Sequence, residues 1–231
     1  MTTLYSFGGT SGSGKSTRVF LLLNFLKERF PVKTFTYKKD IGYLVDDRIL
    51  FIGKEVYRKG SVAWQGLDSV FRDFADSYEE LYNALFEFLK KYSVITESSV
   101  MMKTARVRPR FLNENSEGFD AYFKNFYFDD FETYKQRIEG RGGKTPTPNS
   151  AMWLTNKEIQ RALVLYQEEL NELPEDKRGR FTAERGDPKE PFWSLGVAIL
   201  EREGMSDLVE SFKEYCDKNC NTTVQKKKRL F

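Results

Sequence analysis

The chain has 231 residues, 40% hydrophobic and 15% aromatic, which is enough to bury a full core and excludes a disordered protein. Its 37 basic and 34 acidic side chains leave a formal charge of +3, too small to diagnose nucleic-acid binding by itself. With no histidine at all, the commonest general base and metal ligand is missing, so proton transfer falls to Asp, Glu, Lys or Tyr. Cys216 and Cys220, four apart, make a poor metal site and read as reduced thiols on one helix face of a cytosolic protein. No apolar run approaches membrane-spanning length and no signal peptide precedes the first strand. The expected location is therefore the cytoplasm, the host's if the protein is viral, with no membrane partner.

Residues 2–9 are expected to form the first strand, around the apolar run Leu4-Tyr5-Ser6-Phe7. Residues 15–29 should form the first helix, which Pro31 ends. Between them, Gly9-Thr10-Ser11-Gly12-Ser13-Gly14-Lys15-Ser16-Thr17 reads G-x-x-x-x-G-K-S-T, the phosphate-binding P-loop. The glycines allow successive backbone N–H groups to turn toward one point, and the helix N-terminus adds partial positive charge. The whole stretch is assigned to a nucleoside triphosphate, with Lys15 reaching the β- and γ-phosphates and Ser16 holding magnesium.

Val32 to Tyr37 reads as a second strand, and 41–57 as two strand-like runs around Asp46-Asp47-Arg48, a hairpin insertion extending to about residue 60. Lys59 to Asp68 reads as a loop. Residues 69–91 read as one long helix on Val70, Phe71, Phe74, Tyr78, Leu81, Leu85, Phe88 and Leu89. The strand 92–97 ends in Glu97, followed by Ser98-Ser99. A carboxylate at that strand end can orient magnesium or accept the proton of an acceptor hydroxyl. A further strand is expected over Asn125 to Asp129. A helix from Phe131 to Glu139 then runs into Gly140-Arg141-Gly142-Gly143-Lys144. Arg137 and Arg141, with those glycines as hinge, read as a lid over about 131–150 that stabilises charge on a transferring phosphoryl group. A helix over 155–173, capped by Thr155 or Asn156, and a last helix over 205–218 precede a basic tail, 222–231, whose Lys226 to Arg229 read as solvated.

Strands alternating with helices imply an α/β class. The expected fold is a single P-loop NTPase domain over 1–231, nucleotide-kinase-like and three-layered, with a mostly parallel sheet flanked by helices. Asn156-Lys157-Glu158-Ile159 is the nearest approach to a guanine-recognising N-K-x-D segment and lacks the Asp, which argues against a signalling GTPase.

On the P-loop, Glu97 and the lid at 137–144, the chain resembles the thymidylate-kinase-like group of P-loop kinases over about residues 1–175. Members of that group usually hold a substrate 5′-phosphate with arginines. Here the matching places carry Lys38-Lys39-Asp40 and Asp68-Ser69. Lys54 to Asp68 (KEVYRKGSVAWQGLD) is similar to the bacteriophage 5-hydroxymethyldeoxyuridine DNA kinases. That resemblance implies transfer of the γ-phosphate of ATP, with Mg2+, to the 5-hydroxymethyl group of a pyrimidine already in DNA, one step in thymidine hypermodification that shields a viral genome. Trp64 would then stack on a flipped base and Gln65 or Asp68 would bond its edge. Lys38, Lys39, Arg58 and Lys59 would hold DNA phosphates, and Lys103, Arg106, Arg108 and Arg110 would extend the track. Glu97 or Asp68 takes the acceptor proton. A kinase of free deoxynucleoside monophosphates and a DNA-associated P-loop ATPase stand as alternative readings.

Overall fold

In a computed structural model, the first half of the chain runs β1 (Thr2–Gly9), α1 (Lys15–Lys27), β2 (Val32–Thr36), β3 (Asp40–Val45), β4 (Ile49–Ile52), β5 (Lys54–Arg58), β6 (Ser61–Gln65), α2 (Leu67–Phe74) and α3 (Tyr78–Leu89). The second half runs β7 (Ser93–Glu97), α4 (Pro109–Asn115), β8 (Phe119–Phe126), α5 (Phe131–Glu139), α6 (Ala151–Glu172), α7 (Glu175–Arg178), β9 (Phe181–Gly186), α8 (Ser194–Arg202) and α9 (Val209–Lys228). The structure describes the chain except at residues 59–60, 99–100, 102–103, 116–117, 141 and 229–231, and no side chain is described at 58, 61, 74 or 221–228.

The main sheet has seven strands in the order β2-β3-β4-β7-β1-β8-β9. From β4 to β9 all neighbours are parallel, whereas β2, β3 and β4 pair antiparallel. The central strands are apolar on both faces, as strands covered by helices on each side must be. Leu4, Val94 and Phe123 point into one apolar layer with α2, α3, α4 and α6. Tyr5, Phe7, Ile95 and Phe126 point into the other, with α1, α8 and α9. This is the three-layer architecture of P-loop NTPase folds, with the loop after β1 at the carboxyl edge of the parallel strands.

The hairpin expected at 41–57 forms, and both Asp46 and Asp47 sit at φ 51, the left-handed centre of a turn that the Arg48 N–H closes by donating to the Val45 carbonyl at 3.0 Å. It lies within the main sheet. The wholly buried Ile49–Ile52 strand pairs parallel with β7, and β3 and β2 continue the sheet beyond it. The piece that stands apart is the β5–β6 ribbon, which was expected in part as a loop. It turns away at Gly53, at φ +150, where a Cβ would fall 2.3 Å from the Trp64 ring.

Other boundaries also shift. The expected 69–91 helix is two helices. Ser77 begins the second by accepting from the Glu80 N–H at 3.1 Å, while the Glu80 carboxylate accepts from the Asp76 N–H. The strand expected at 125–129 spans 119–126, because Lys124 interrupts its apolar run. Lys124 is nonetheless buried, neutralised by Glu184 at 3.2 Å and Glu190 at 2.9 Å. The helix expected at 155–173 begins at Ala151 after Ser150, and Asn156 lies inside it, buried. The last helix runs over 209–228 where 205–218 was expected. Cys216 and Cys220 are free thiols on α9, and burial pushes the Cys216 thiol up to about 12. Among the described residues, no helix is long and apolar enough to cross a membrane.

Candidate active site

The 9–17 loop is shaped by its glycines. Gly9, Gly12 and Gly14 hold φ of 150, 88 and 85, and a Cβ on Gly9 would fall 2.5 Å from the Phe126 carbonyl. The loop is tied from outside. The Thr10 N–H donates to the Phe126 carbonyl at 3.0 Å, and the Thr10 hydroxyl donates to Asn156 Oδ1 at 2.6 Å. Asn156 also bonds both the N–H and the carbonyl of Phe128, so one buried amide joins the loop, the segment that follows β8, and α6. Ser11 and Thr17 face outward, and the Ser13 hydroxyl is buried without a partner among the described residues.

Beneath the loop sits Arg18, wholly buried. Its guanidinium lies between the rings of Phe126 at 4.6 Å and Phe192 at 5.0 Å. It donates to the Ser13 carbonyl at 3.0 Å and to the Glu190 carbonyl at 2.7 Å. Burial draws its pKa down to about 10, so it remains charged at neutral pH. Burial pushes the Glu190 carboxyl up, but bonds from Lys124, the Asp187 N–H and the Ser194 hydroxyl prevail and hold it below the usual range. Sequence reasoning passed over Arg18, since an arginine on an otherwise apolar helix gives no sign of which carbonyls it meets.

Glu97, at the end of β7, meets the first turn of α1. Its Oε1 lies 3.2 Å from Lys15 Nζ, and its Oε2 accepts from the Ser16 hydroxyl at 3.0 Å. Gly66 makes this approach possible, since a Cβ there would fall 2.2 Å from the Glu97 carbonyl and 2.7 Å from Oε2. Among the described residues no group of three or more His, Cys, Asp or Glu forms a metal cage. The Ser16 hydroxyl and the Glu97 carboxylate, two hard oxygen donors 3.0 Å apart, suit a magnesium ion that takes its remaining ligands from phosphates and water.

Beside Glu97, the buried Ser98 hydroxyl donates to Asp68 Oδ1 at 2.6 Å. Asp68 sits in the first turn of α2 and lines a cavity of about 250 Å³ with Phe71, Tyr78, Tyr82, Ser98 and Met101. The rings of Phe71 and Tyr78 stack at 5.1 Å. These aromatics were read only as helix periodicity. The signal for the cavity was the Ser77…Glu80 cap, which splits the helix and sets Phe71 and Tyr78 on either side of a bend.

Several expected site residues lie elsewhere. Trp64 is a core anchor and not a stacking platform: it is 5% exposed, packed over Gly53 in the layer shared with α1. Gln65 ends the ribbon, paired in register with Lys54, outside the cavity wall. Lys38 pairs with Glu80 and with Asp76 at 3.9 Å, and Lys39 with Asp73 at 3.4 Å, so neither enters the cavity. The basic track beyond Glu97 is likewise paired off. Arg106 meets Glu79 at 3.6 Å, Arg108 meets Glu169 at 2.9 Å, and Arg110 meets Glu172 at 2.7 Å. Arg137 does approach the loop, its Nε donating to the Gly12 carbonyl at 3.3 Å. The expected roles of Lys59, Ser99, Lys103, Arg141 and Arg229 fall on residues outside those described, as do those of the Arg58 and tail side chains.

The sequence model of the family described as 5-hmdU DNA kinase 2 matches residues 1–177. The chain belongs to this family. The 5-hmdU DNA kinase 2 of Salmonella phage ViI is 22% identical to it over 91% of this chain and 81% of the phage protein. The resemblance drawn from Lys54–Asp68 is thus borne out, and membership makes the chain a phosphotransferase that uses a nucleotide phosphate donor. In this kinase, the residue signature that carried the likeness works through packing: it is the ribbon and turn that bring Gly66 and Asp68 beside Glu97.

Proposed function

We propose that this family member transfers the γ-phosphoryl group of ATP to the 5-hydroxymethyl group of 5-hydroxymethyluracil in DNA. The observation that carries the reading is the aromatic cavity at Asp68 and Ser98, directly beside the Lys15–Glu97–Ser16 cluster. Phe71 and Tyr78 suit one flipped pyrimidine ring. The 9–17 amides and Lys15 bind the triphosphate, and Arg137 supports charge from the lid side. Ser16 and Glu97 would hold magnesium, which when bound draws negative charge off the phosphates. The acceptor proton goes to Asp68, which lines the cavity, whereas Glu97 is turned toward Lys15 and Ser16. The hydroxymethyl oxygen then bonds to the γ-phosphorus as the bridge to the β-phosphate breaks and ADP leaves. The modified base would proceed to further hypermodification that protects viral DNA, in the host cytoplasm.

The test is transfer of label from γ-labelled ATP to duplexes with and without hydroxymethyluracil, and to free deoxynucleoside monophosphates. Label should enter only the modified duplex. Label on free nucleotide alone, or phosphate release with no labelled acceptor, overturns the reading. Phe71→Ala should raise the acceptor KM about tenfold and leave the ATP KM unchanged, since losing one base–aromatic stack costs about 1–3 kcal/mol. Steady-state kinetics with each substrate varied in turn measures this.

A further inference from the structure

Asn125 is wholly buried on β8, opposite Gly8 of β1, and among the described residues neither its Oδ1 nor its Nδ2 has a hydrogen-bond partner. A buried amide with both ends unsatisfied is rare, and it asks for a partner from outside the chain. The surroundings are built around it. A Cβ on Gly8 would fall 2.0 Å from Asn125 Oδ1, so only glycine leaves the amide its place. The same point lies 3.7 Å from the Ser98 carbonyl, so the amide stands next to the residue that forms the inner wall of the cavity. Met101 lines the cavity beside Ser98. Its thioether accepts long, weak hydrogen bonds from Thr96 at 3.4 Å and Ser6 at 3.8 Å, and its unbranched chain can swing aside at the cost of those two bonds.

We propose that Asn125 reads the imide edge of the acceptor pyrimidine, once the entering ring displaces Met101. A uracil ring carries an N–H donor beside a carbonyl acceptor, and a carboxamide offers an acceptor beside a donor in one plane, so the two meet through paired hydrogen bonds. The inference rests on the kinase reading above and adds to it the group that selects the base. An amide kept for the fold alone would be tied to neighbours, as Asn156 is.

The experiment compares Asn125→Leu, which fills the same space without polar atoms, with the full-length wild-type protein. Thermal midpoint, ATP affinity by calorimetry, and kcat and KM for the hydroxymethyluracil duplex are read together. The leucine variant should melt at or above the wild-type temperature, because an apolar group of like shape replaces two unsatisfied atoms. ATP affinity should not change. Acceptor kcat/KM should fall about 30-fold, mostly through KM, as expected for a lost bidentate base contact. Unchanged acceptor kinetics, or a loss that tracks a lowered melting temperature and weaker ATP binding, overturns the assignment. If Asn125→Leu does not fold, Asn125→Ala decides by the same ratio. Wild-type protein that labels no modified DNA sinks the kinase reading and this one with it, whereas a fully active leucine variant sinks this one alone.

Discussion

Lys15→Ala is expected to lower phosphoryl transfer by about 10³-fold while the protein remains folded, the scale seen when one preorganised charge is withdrawn from a transition state. The expectation comes from geometry as well as motif. Lys15 is largely buried and sits 3.2 Å from Glu97, so the ammonium is held at the end of the loop before any nucleotide arrives. A lysine held in this way loses little freedom on binding. Its removal also leaves Glu97 facing the 9–17 loop with the Ser16 hydroxyl as its one side-chain partner among the described residues, which adds repulsion toward incoming phosphates. Single-turnover transfer with saturating ATP measures the chemical step, and circular dichroism checks the fold. A variant retaining a tenth of wild-type turnover would show that Lys15 binds Glu97 for structure and does not act on the phosphates.

Arg18→Met is expected to destabilise the protein by about 3 kcal/mol, within the range for removing one partner of a buried charged network. Methionine restores much of the volume but leaves the Ser13 and Glu190 carbonyls without their donor. Relief of the burial that lowers the Arg18 pKa offsets part of this loss. The Ser13 carbonyl belongs to the loop, so the damage should reach function, with weaker ATP binding accompanying a melting point lower by roughly 6–12 °C. Arg18→Lys keeps the charge but not the fork, and should fall between the two. Differential scanning calorimetry with and without ATP tests the order. If Arg18→Met melts with the wild type, the buried guanidinium is not what holds the loop.

What could be read along the chain was local. Gly9 to Thr17 is a contiguous pattern whose glycine spacing sets backbone conformation directly, and its strand and helix neighbours were placed correctly on either side. Glu97 was legible because a carboxylate ending a short apolar strand is uncommon and the parallel topology brings that end to the loop. Trp64 was misread because an aromatic residue in a glycine-rich stretch has the same composition whether it faces ligand or core. The 106–110 cluster was misread for another reason. The acids that meet Arg108 and Arg110, Glu169 and Glu172, lie about sixty positions away, beyond any window in which charge can be summed. β8 was mislocated by Lys124, whose polarity hides a buried strand until Glu184 and Glu190 arrive from the last third of the chain.

The amino-acid order by itself determined the glycine-shaped loop between β1 and α1, the alternation of strand and helix, and the carboxylate that meets the loop, since each follows from short-range periodicity and backbone freedom. Only the tertiary structure decided which aromatics line the cavity beside Asp68, which cations are neutralised, and which polar groups, Arg18 and Asn125, are buried near the loop and the cavity. Those outcomes depend on contacts between distant segments, where burial fixes whether a polar group is costly or satisfied.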